Sequence, residues 1–428
     1  MNPFRLAQLT WDLRGSLLVR PLAAIAALAV LAEGLPALER SNRVPLPEPL
    51  AAFLATEPGS AQVVLATLAG SMMTVVSVVY TLLVVALTLA SIQFSPRILS
   101  SFLRDTATQW TLGLVAGTFA FCVLLLRAVR LDPPFVPVVS VALAVALVLI
   151  SLSALVWFVH HIANGIQANH LVDRLAAETE PVIDDVWLTQ APALAAAPVL
   201  HGGPILADRS GYVQLIDKVA LRALASAGRR IQVERGMGRF VAAGSLLART
   251  DPPATPEVAA AVRAAFDLGP VRTQQEDIEW GFRQIVDIAL KAISPAVNDP
   301  STAATCIDQI TRLLLRALAR FPPSPVEIHG TGALVIATAT ATDLIDLSFE
   351  QLRQYGRTDM AVALRLLRAF AEVGSATQEG AVHARLVWHA RILETGVRAH
   401  FPAADCDEFD RRLRAVEALP ERTVPLGT

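Results

Sequence analysis

The chain has 428 residues, with 36 basic and 38 acidic side chains that leave a formal net charge of −2 at pH 7. Hydrophobic residues make up 54% of it and charged residues 17%, against about 45–50% and about 25% in soluble domains. The mean hydropathy of +0.49 argues against a purely soluble protein, and this much apolar side chain excludes disorder as the main state. The near-neutral charge gives no reason to expect nucleic acid as a partner.

Four apolar stretches are long enough to cross a bilayer core of about 30 Å, which needs about 20 helical residues. The sequence predicts spans at about residues 17–38, 61–91, 110–129 and 135–162. The first is expected to be an uncleaved helix, because Glu33 and Pro36 stand where a signal peptide would have its cleavage site. The excess hydrophobicity therefore lies in the first third of the chain.

The expected fold class is an α-helical membrane region with four transmembrane helices, followed by a mixed α/β, mostly helical, soluble domain. The predicted boundaries are 1–165 for the transmembrane domain, 166–204 for a connector helix and linker, and 205–428 for the soluble domain. Since Cys122, Cys306 and Cys406 are widely spaced, they form no metal motif or disulfide framework, and no cofactor is expected.

Basic residues near the span ends predict the orientation. Basic residues flank the start of span 1 and occur in the loop after span 2, which favours a cytoplasmic N-terminus. Arg127 and Arg130, at the outer end of span 3, count against this orientation. The expectation is a multi-pass protein of the bacterial inner (plasma) membrane. Its N-terminus and C-terminal domain would both be cytoplasmic, where cysteines stay reduced.

Span 2 carries no charge, and its hydroxyl residues step by three, four or seven, which places them on one face of a helix. They are Thr67, Ser71, Thr74, Ser77, Thr81, Thr88 and Ser91. Two interpretations are open: the small side chains allow close packing between spans, or the hydroxyls line a permeation path. Because each chain supplies one such helix, a pore would require a homo-oligomer.

A proline follows directly after span 2, in the segment that runs from Gln93 through Pro96 to Arg97. We expect Pro96 to break or kink the helix at the membrane surface. With Arg104, this segment is either an interfacial elbow whose cations lie among the lipid headgroups or the gate and mouth of a pore.

Spans 3 and 4 carry two further motifs. Gly113 and Gly117 form a GxxxG pair, which favours close approach of another helix. His160 and His161 are adjacent near the end of span 4, so they point about 100° apart on a helix. An interfacial pair is therefore favoured over a metal or pH-sensing site.

In the soluble region, the segment 275–293 predicts an amphipathic helix. Arg283, Asp287 and Lys291 follow one another at i, i+4 and i+8 on it. This spacing is typical of a solvated salt-bridge ladder. The alternative is a contact with another subunit or a ligand.

The elbow after that helix has a structural and a functional interpretation. Asn298 and Asp299 precede Pro300, which is typical of a side-chain cap with proline in the first turn of the next helix. Alternatively, Asp299 and Asp287 form a carboxylate site for a cation or a cationic ligand. Residues 341–416 predict three or four helices and no cluster of reactive side chains.

Six segments, in one order along the chain, carry a family resemblance. They are AGSMMTVVSVVYTLLVVALTLASIQFSPRIL, FLRDTATQWTLGLVAGTFAFC, FVHHIANGIQ, GYVQLID, GRFVAAGSLL and DIEWGFRQIVDIALKAISPAVNDPSTA. Over roughly residues 10–320 they resemble a bacterial family of predicted membrane proteins, domain of unknown function 2254. Trp280 stands where the family has Phe, and Ala296 where it has Gly. The resemblance implies a helical membrane region and a soluble domain, and no activity.

No zinc pair, P-loop, dinucleotide fingerprint or nucleophile elbow occurs in the sequence, so no enzyme is predicted. The favoured function is an oligomeric ion or small-solute channel or transporter, with span 2 lining the path and a cytoplasmic regulatory domain. The alternative is a membrane-anchored scaffold or sensor whose soluble domain binds a partner. The partners expected in either case are the lipid bilayer and further copies of the chain.

Overall fold

A computed structural model describes residues 18–41, 57–93, 105–165, 167–192 and 202–419. The chain divides into two compact units, an N-terminal unit (Met1–Gln167) and a C-terminal unit (Ala168–Thr428). Four helices of the N-terminal unit are long and apolar enough to cross a membrane, and the C-terminal unit is mostly helical with some strands. The fold class expected from the sequence is confirmed.

The described residues of the N-terminal unit form four long helices and a short hairpin. The helices are α1 (Val19–Arg40), α2 (Pro58–Gln93), α3 (Thr106–Leu125) and α4 (Val138–Gly165), and β1 (Arg130–Leu131) pairs with β2 (Pro134–Phe135) between α3 and α4. The 36 residues of α2 extend over about 54 Å at 1.5 Å per residue. This helix is longer than a hydrocarbon core of about 30 Å is thick.

Helix α3 lies among the other three, and most of its residues are buried. Its two glycines lie against α1: a Cβ added at Gly113 would be 2.8 Å from the Cβ of Ala24, and one at Gly117 would be 2.7 Å from Cδ1 of Leu28. The close approach expected from the GxxxG spacing is therefore present, and it lies between α1 and α3.

Polar side chains join three helices at the end of the unit where α1 and α3 begin and α4 ends. Arg20 of α1 donates to the Thr106 hydroxyl and to Oε1 of Gln109, both at 2.9 Å. Asp105 caps α3 by accepting from the Thr108 amide, and it lies 2.9 Å from Nε2 of His161 on α4. This cap explains why α3 begins at Thr106, four residues before the expected start of span 3.

At the opposite end, an acidic residue of α1 caps α4. The Glu39 carboxylate accepts from the backbone amides of Val139 and Ser140 at 3.0 and 2.9 Å. The first amides of a helix lack intrahelical partners and carry a partial positive charge. Glu39 therefore stabilises the start of α4 although it belongs to a predicted interhelical loop.

The C-terminal unit contains two sheets. Its strands are β3 (Gly203–Leu206), β4 (Gly211–Ile216), β5 (Arg230–Val233), β6 (Phe240–Val241), β7 (Leu246–Asp251), β8 (Phe266–Gly269), β9 (Val326–His329) and β10 (Gly332–Ile336). One sheet has the order β3-β7-β5-β10-β9, in which β10 and β5 are parallel, and the other is the antiparallel β6-β4-β8. Val213, Ile231, Leu247 and Leu334 belong to their common core.

The remaining mass of this unit is helical. Its helices are α5 (Ala168–Val186), α6 (Lys218–Ser226), α7 (Pro256–Ala264), α8 (Ile278–Ala292), α9 (Pro300–Leu318), α10 (Ala341–Gly356), α11 (Met360–Ser375), α12 (Gly380–Arg398) and α13 (Asp407–Glu417). The apolar face of α8 packs against α5, α9 and α10. The connector helix α5 ends at Val186, within the segment 166–204 that was expected to contain a connector helix and linker.

Candidate functional site

Among the described residues, helix α2 contacts the rest of the N-terminal unit through one face. The buried residues of this face step by three, four or seven, as those of a helix packed along one side do. They are Ala61, Leu65, Ala69, Met72, Val79, Leu83, Ala86 and Ala90. Their partners lie on α3 and α4.

The hydroxyl residues predicted from the sequence lie on the other side of α2. At 100° per residue, their mean direction is about 180° from that of the buried face. Thr67, Ser71, Thr74, Ser77, Thr81 and Thr88 are exposed, and Ser91 is partly exposed. Packing of these hydroxyls against the other spans of the same chain is therefore excluded for the described residues. We call these seven residues, with Gly70, the hydroxyl face.

Hydroxyls that do bond between spans lie elsewhere. Thr118 of α3 and Ser151 of α4 are fully buried, and their hydroxyl oxygens are 3.1 Å apart. Such a contact joins two spans in the way expected of polar residues within a helical bundle. The contrast shows that the hydroxyl face of α2 has a different environment from the packed hydroxyls of this unit.

Four of the hydroxyls of this face donate their protons within α2 itself. Thr67, Thr81 and Thr88 donate to the carbonyl four residues earlier at 2.8 Å, and Ser77 does so at 3.0 Å. A hydroxyl that donates in this way keeps oxygen lone pairs for a further acceptor role. The face therefore presents a column of weak oxygen acceptors without any formal charge.

A flat segment lies in the upstream half of the hydroxyl face. Gly70 has no other atom within 4 Å of the position a Cβ would take, and Ala66 and Thr74, one turn away on either side, are exposed. Small residues at i and i+4 allow the backbone of a second helix to approach closely. This part of the hydroxyl face is therefore flat and uncovered among the described residues.

The predicted pore-mouth residues are placed only in part. Gln93 is the last residue of α2. Its side chain, and the whole of Pro96, Arg97 and Arg104, lie outside the described residues. The gate interpretation of this segment stays a prediction.

The charge ladder of the C-terminal unit has local partners. Arg283 and Asp287 form an i,i+4 ion pair at 2.8 Å, and Arg283 also donates to Oε1 of Gln351 on α10 at 2.7 Å. Lys291, at the end of α8, is exposed. Arg283 thus joins α8 to α10, and its pair with Asp287 has the i,i+4 geometry of a structural salt bridge.

The elbow between α8 and α9 has the geometry of a cap. The Asp299 carboxylate accepts from the Thr302 amide at 3.0 Å, and Pro300 is the first helical residue. Hydrogen bonds from Thr302 outweigh burial and hold the pKa of Asp299 below its usual value. Asn298, which has a φ of 51°, is exposed. Asp287 and Asp299 thus each have a separate partner.

One buried charge cluster was not recognised in the sequence. Asp277 caps α8 and accepts three hydrogen bonds from Arg272, one from Nε at 3.0 Å and two from Nη2 at 2.9 and 2.8 Å. Burial raises the pKa of Asp277, and the Arg272 guanidinium opposes that shift. Gly238, with a φ of +71°, lies so close that a Cβ there would be 2.2 Å from Oδ2 of Asp277. An acid just before an amphipathic helix was the available signal.

The comparison with protein families decides the identity of the chain. The sequence profile of a family described as predicted membrane protein (DUF2254) matches residues 14–372. The chain belongs to this family. The resemblance seen in its motifs is therefore confirmed, and this DUF2254 protein is a membrane protein.

Relatives of this DUF2254 protein occur in mycobacteria. Uncharacterized proteins of Mycobacterium bovis and Mycobacterium tuberculosis are each 32% identical to it over 333 residues, which is 74% of this chain. The match covers 64% of each relative, so the chain spans less than two thirds of their length. No solved structure matches the chain. Among the described residues, no group of three or more His, Cys, Asp or Glu side chains could hold a metal ion.

Proposed function

We propose that this DUF2254 protein is an oligomeric channel or transporter for ions or small solutes, whose path is lined by the hydroxyl face of α2. It would lie in the bacterial inner membrane, with the C-terminal unit in the cytoplasm as a regulatory domain. The observation that carries the proposal is the direction of this face, which is exposed on the side of α2 opposite to α3 and α4.

The chemistry of the hydroxyl face suits the passage of an ion or solute better than its tight binding. Conduction requires contacts that are favourable enough for entry and weak enough for release. Neutral oxygens repeated over several turns of α2, as at Thr74 and Thr81, provide such contacts. A charged residue would bind an ion more tightly, and α2 has none between Pro58 and Gln93.

A path lined by α2 would need more than one copy of the chain. A single α2 forms one wall, and a closed path needs several such walls around an axis. Ala66 and Gly70 offer a surface of small residues against which a second copy can pack closely. Copies in contact along this segment would place the remaining hydroxyls along a shared path.

A flux assay with matched serine variants tests the proposal. Ser77 on α2 and Ser153 on α4 are both exposed, and both donate to the carbonyl four residues earlier at 3.0 Å. Ser77→Ala, Thr74→Val and Thr81→Val should change the flux of ions into liposomes that contain the purified protein. Ser153→Ala removes the same hydroxyl chemistry from α4 and should leave the flux unchanged.

The result that would overturn the proposal is equally direct. Wild-type protein that conducts under no ion or solute gradient, although it is folded and inserted, excludes a channel or transporter. Equal effects of Ser77→Ala and Ser153→Ala would show that any flux does not depend on the hydroxyl face.

A further inference from the structure

Two arginines and a tryptophan stack where α10 and α12 pack together. The guanidinium carbon of Arg385 lies 4.1 Å from the centroid of the Trp388 ring, and that of Arg353 lies 5.3 Å from it. Trp388 remains 38% exposed. Stacking on an aromatic face leaves the in-plane N–H groups of a guanidinium free to bind a partner.

Asp346, an acidic residue beside this stack, is already paired with other side chains. Asp346 accepts from Nη2 of Arg385 at 2.7 Å and lies 2.9 Å from Nε2 of the fully buried His389. These contacts outweigh burial and hold the pKa of Asp346 below its usual value, so it is ionised. The charge of Arg385 is therefore balanced within the chain.

Arg353 has no direct ionic contact of this kind among the described residues. Its Nε atom is buried without a hydrogen-bond partner, and in the part of the chain that the structure describes it has no ion pair, with Glu350 of the same helix or with any other acid. Burial lowers the pKa of Arg353, attraction by Glu350 and Asp346 opposes that shift, and repulsion by Arg385 and Arg357 adds to it. The C-terminus of α10 attracts a cation at this position, but it does not satisfy the buried N–H.

Arg357 extends the same positive surface. It follows Arg353 by four residues, is exposed, and packs its side chain against Gly396 of α12. Among the described residues it also has no acidic partner. In the described part of the chain, two guanidinium groups on one side of α10 thus lack a direct ion pair beside a partly exposed aromatic ring. A bound oxyanion would supply the missing partner.

We propose that Arg353 and Arg357, beside Trp388, bind the phosphate group of a small anionic molecule. A guanidinium donates two parallel N–H bonds to such an oxyanion. Arg353 is positioned by its stacking on Trp388, and Arg357 supplies the second charge. This site is independent of the proposed transport function, because it lies in the C-terminal unit and its occupancy is measured without any flux.

Calorimetric titration with inorganic pyrophosphate tests the site on the full-length protein in neutral detergent at constant ionic strength. Wild type should show saturable binding. Arg353→Gln should weaken it by about tenfold or more, the loss expected for charge-assisted hydrogen bonds. Arg353→Lys should also weaken binding, because a lysine keeps the charge but not the two parallel donors. Thermal unfolding without ligand checks that each variant is folded.

Arg368→Gln is the matched control. Arg368 is exposed on α11 and already pairs with Glu372 at 2.7 Å, so its removal should leave pyrophosphate binding unchanged. Repeating the titration in phosphatidylglycerol and phosphatidylcholine nanodiscs distinguishes a lipid headgroup from a soluble ligand, since a headgroup would compete only in the former. Absence of saturable binding to wild type, or equal loss in Arg353→Gln and Arg368→Gln, overturns the proposal.

Discussion

Addition of a single methyl group to α3 at Gly113 should separate α1 from α3. In Gly113→Ala, the new Cβ would lie 2.8 Å from the Cβ of Ala24 and 3.0 Å from the Cα of Pro21. Carbon atoms normally approach to about 3.5–4.0 Å, so the overlap with Ala24 is about 0.7 Å or more. Neither neighbouring atom can rotate away, because one is a backbone atom and the other is a Cβ. The helices must move apart.

The magnitude follows from two opposing effects. Overpacking of a rigid contact costs about 1–3 kcal/mol, and replacement of glycine by alanine inside a helix gains about 1 kcal/mol. Gly113→Ala should therefore lower the free energy of unfolding by about 0–2 kcal/mol. Gly34 is the control, because it lies inside α1 with no atom within 4 Å of its Cβ position. Gly34→Ala should raise stability by about 1 kcal/mol.

The assay is unfolding of the full-length protein in mixed micelles, followed by circular dichroism as the fraction of denaturing detergent rises. The difference between Gly113→Ala and Gly34→Ala isolates the steric cost, because the helix-propensity gain is common to both variants. A difference of about 1–3 kcal/mol is expected. Equal stability of the two variants would refute a tight contact between α1 and α3 at Gly113.

Three further predictions concern stability and pH. Glu39→Ala uncaps α4 and should cost about 0.5–2 kcal/mol in the same assay, whereas Glu33→Ala removes only a long, exposed ion pair and should cost less than about 1 kcal/mol; equal costs would exclude the cap. Asp277→Asn breaks a buried ion pair and should cost about 3–5 kcal/mol, with Glu276→Gln, half-exposed in its pair, as the mild control; a similar small loss in both would contradict the buried pair. Burial lowers the pKa of His389 below 6.5. As the pH falls, this histidine is therefore protonated in the unfolded chain before it is protonated in the folded chain. The folding stability that is present above pH 6.5 is then progressively lost. Thermal unfolding at pH 7.5 and 5.5 should show a larger loss for wild type than for His389→Gln, and equal losses would contradict this.

The sequence predicts the membrane spans well because their signal is local. Each span is a run of apolar residues, and its existence does not depend on distant parts of the chain. The predicted ends of the spans are less accurate, because capping residues decide where a helix begins. Asp105 caps the start of α3, and Glu39, 100 positions before Val139, caps the start of α4. The start of helix α7 has a signal that is visible in the sequence, a capping Thr255 followed by Pro256. Strand β8, by contrast, has only four residues.

The site could be predicted only as a set of residues on one face. Helical spacing shows that Thr67 to Thr88 share a direction, but it does not show which side of α2 the neighbouring helices cover. That information comes from packing against α3 and α4. Likewise, Arg353 and Trp388 are 35 positions apart, and only the contact between α10 and α12 brings them together. The sequence therefore suggested no cluster of reactive side chains in this region.

Cysteine accessibility tests the central claim, that the hydroxyl face of α2 borders an aqueous path. Thr74 and Ile150 lie near the middle of α2 and α4, and both are exposed. In a background that lacks Cys122, Cys306 and Cys406, a membrane-impermeant thiosulfonate should modify Thr74→Cys in intact proteoliposomes. It should leave Ile150→Cys, on an exposed apolar surface of α4, unmodified. If Thr74→Cys reacts no faster than Ile150→Cys, the hydroxyl face is not in contact with water and the account is wrong.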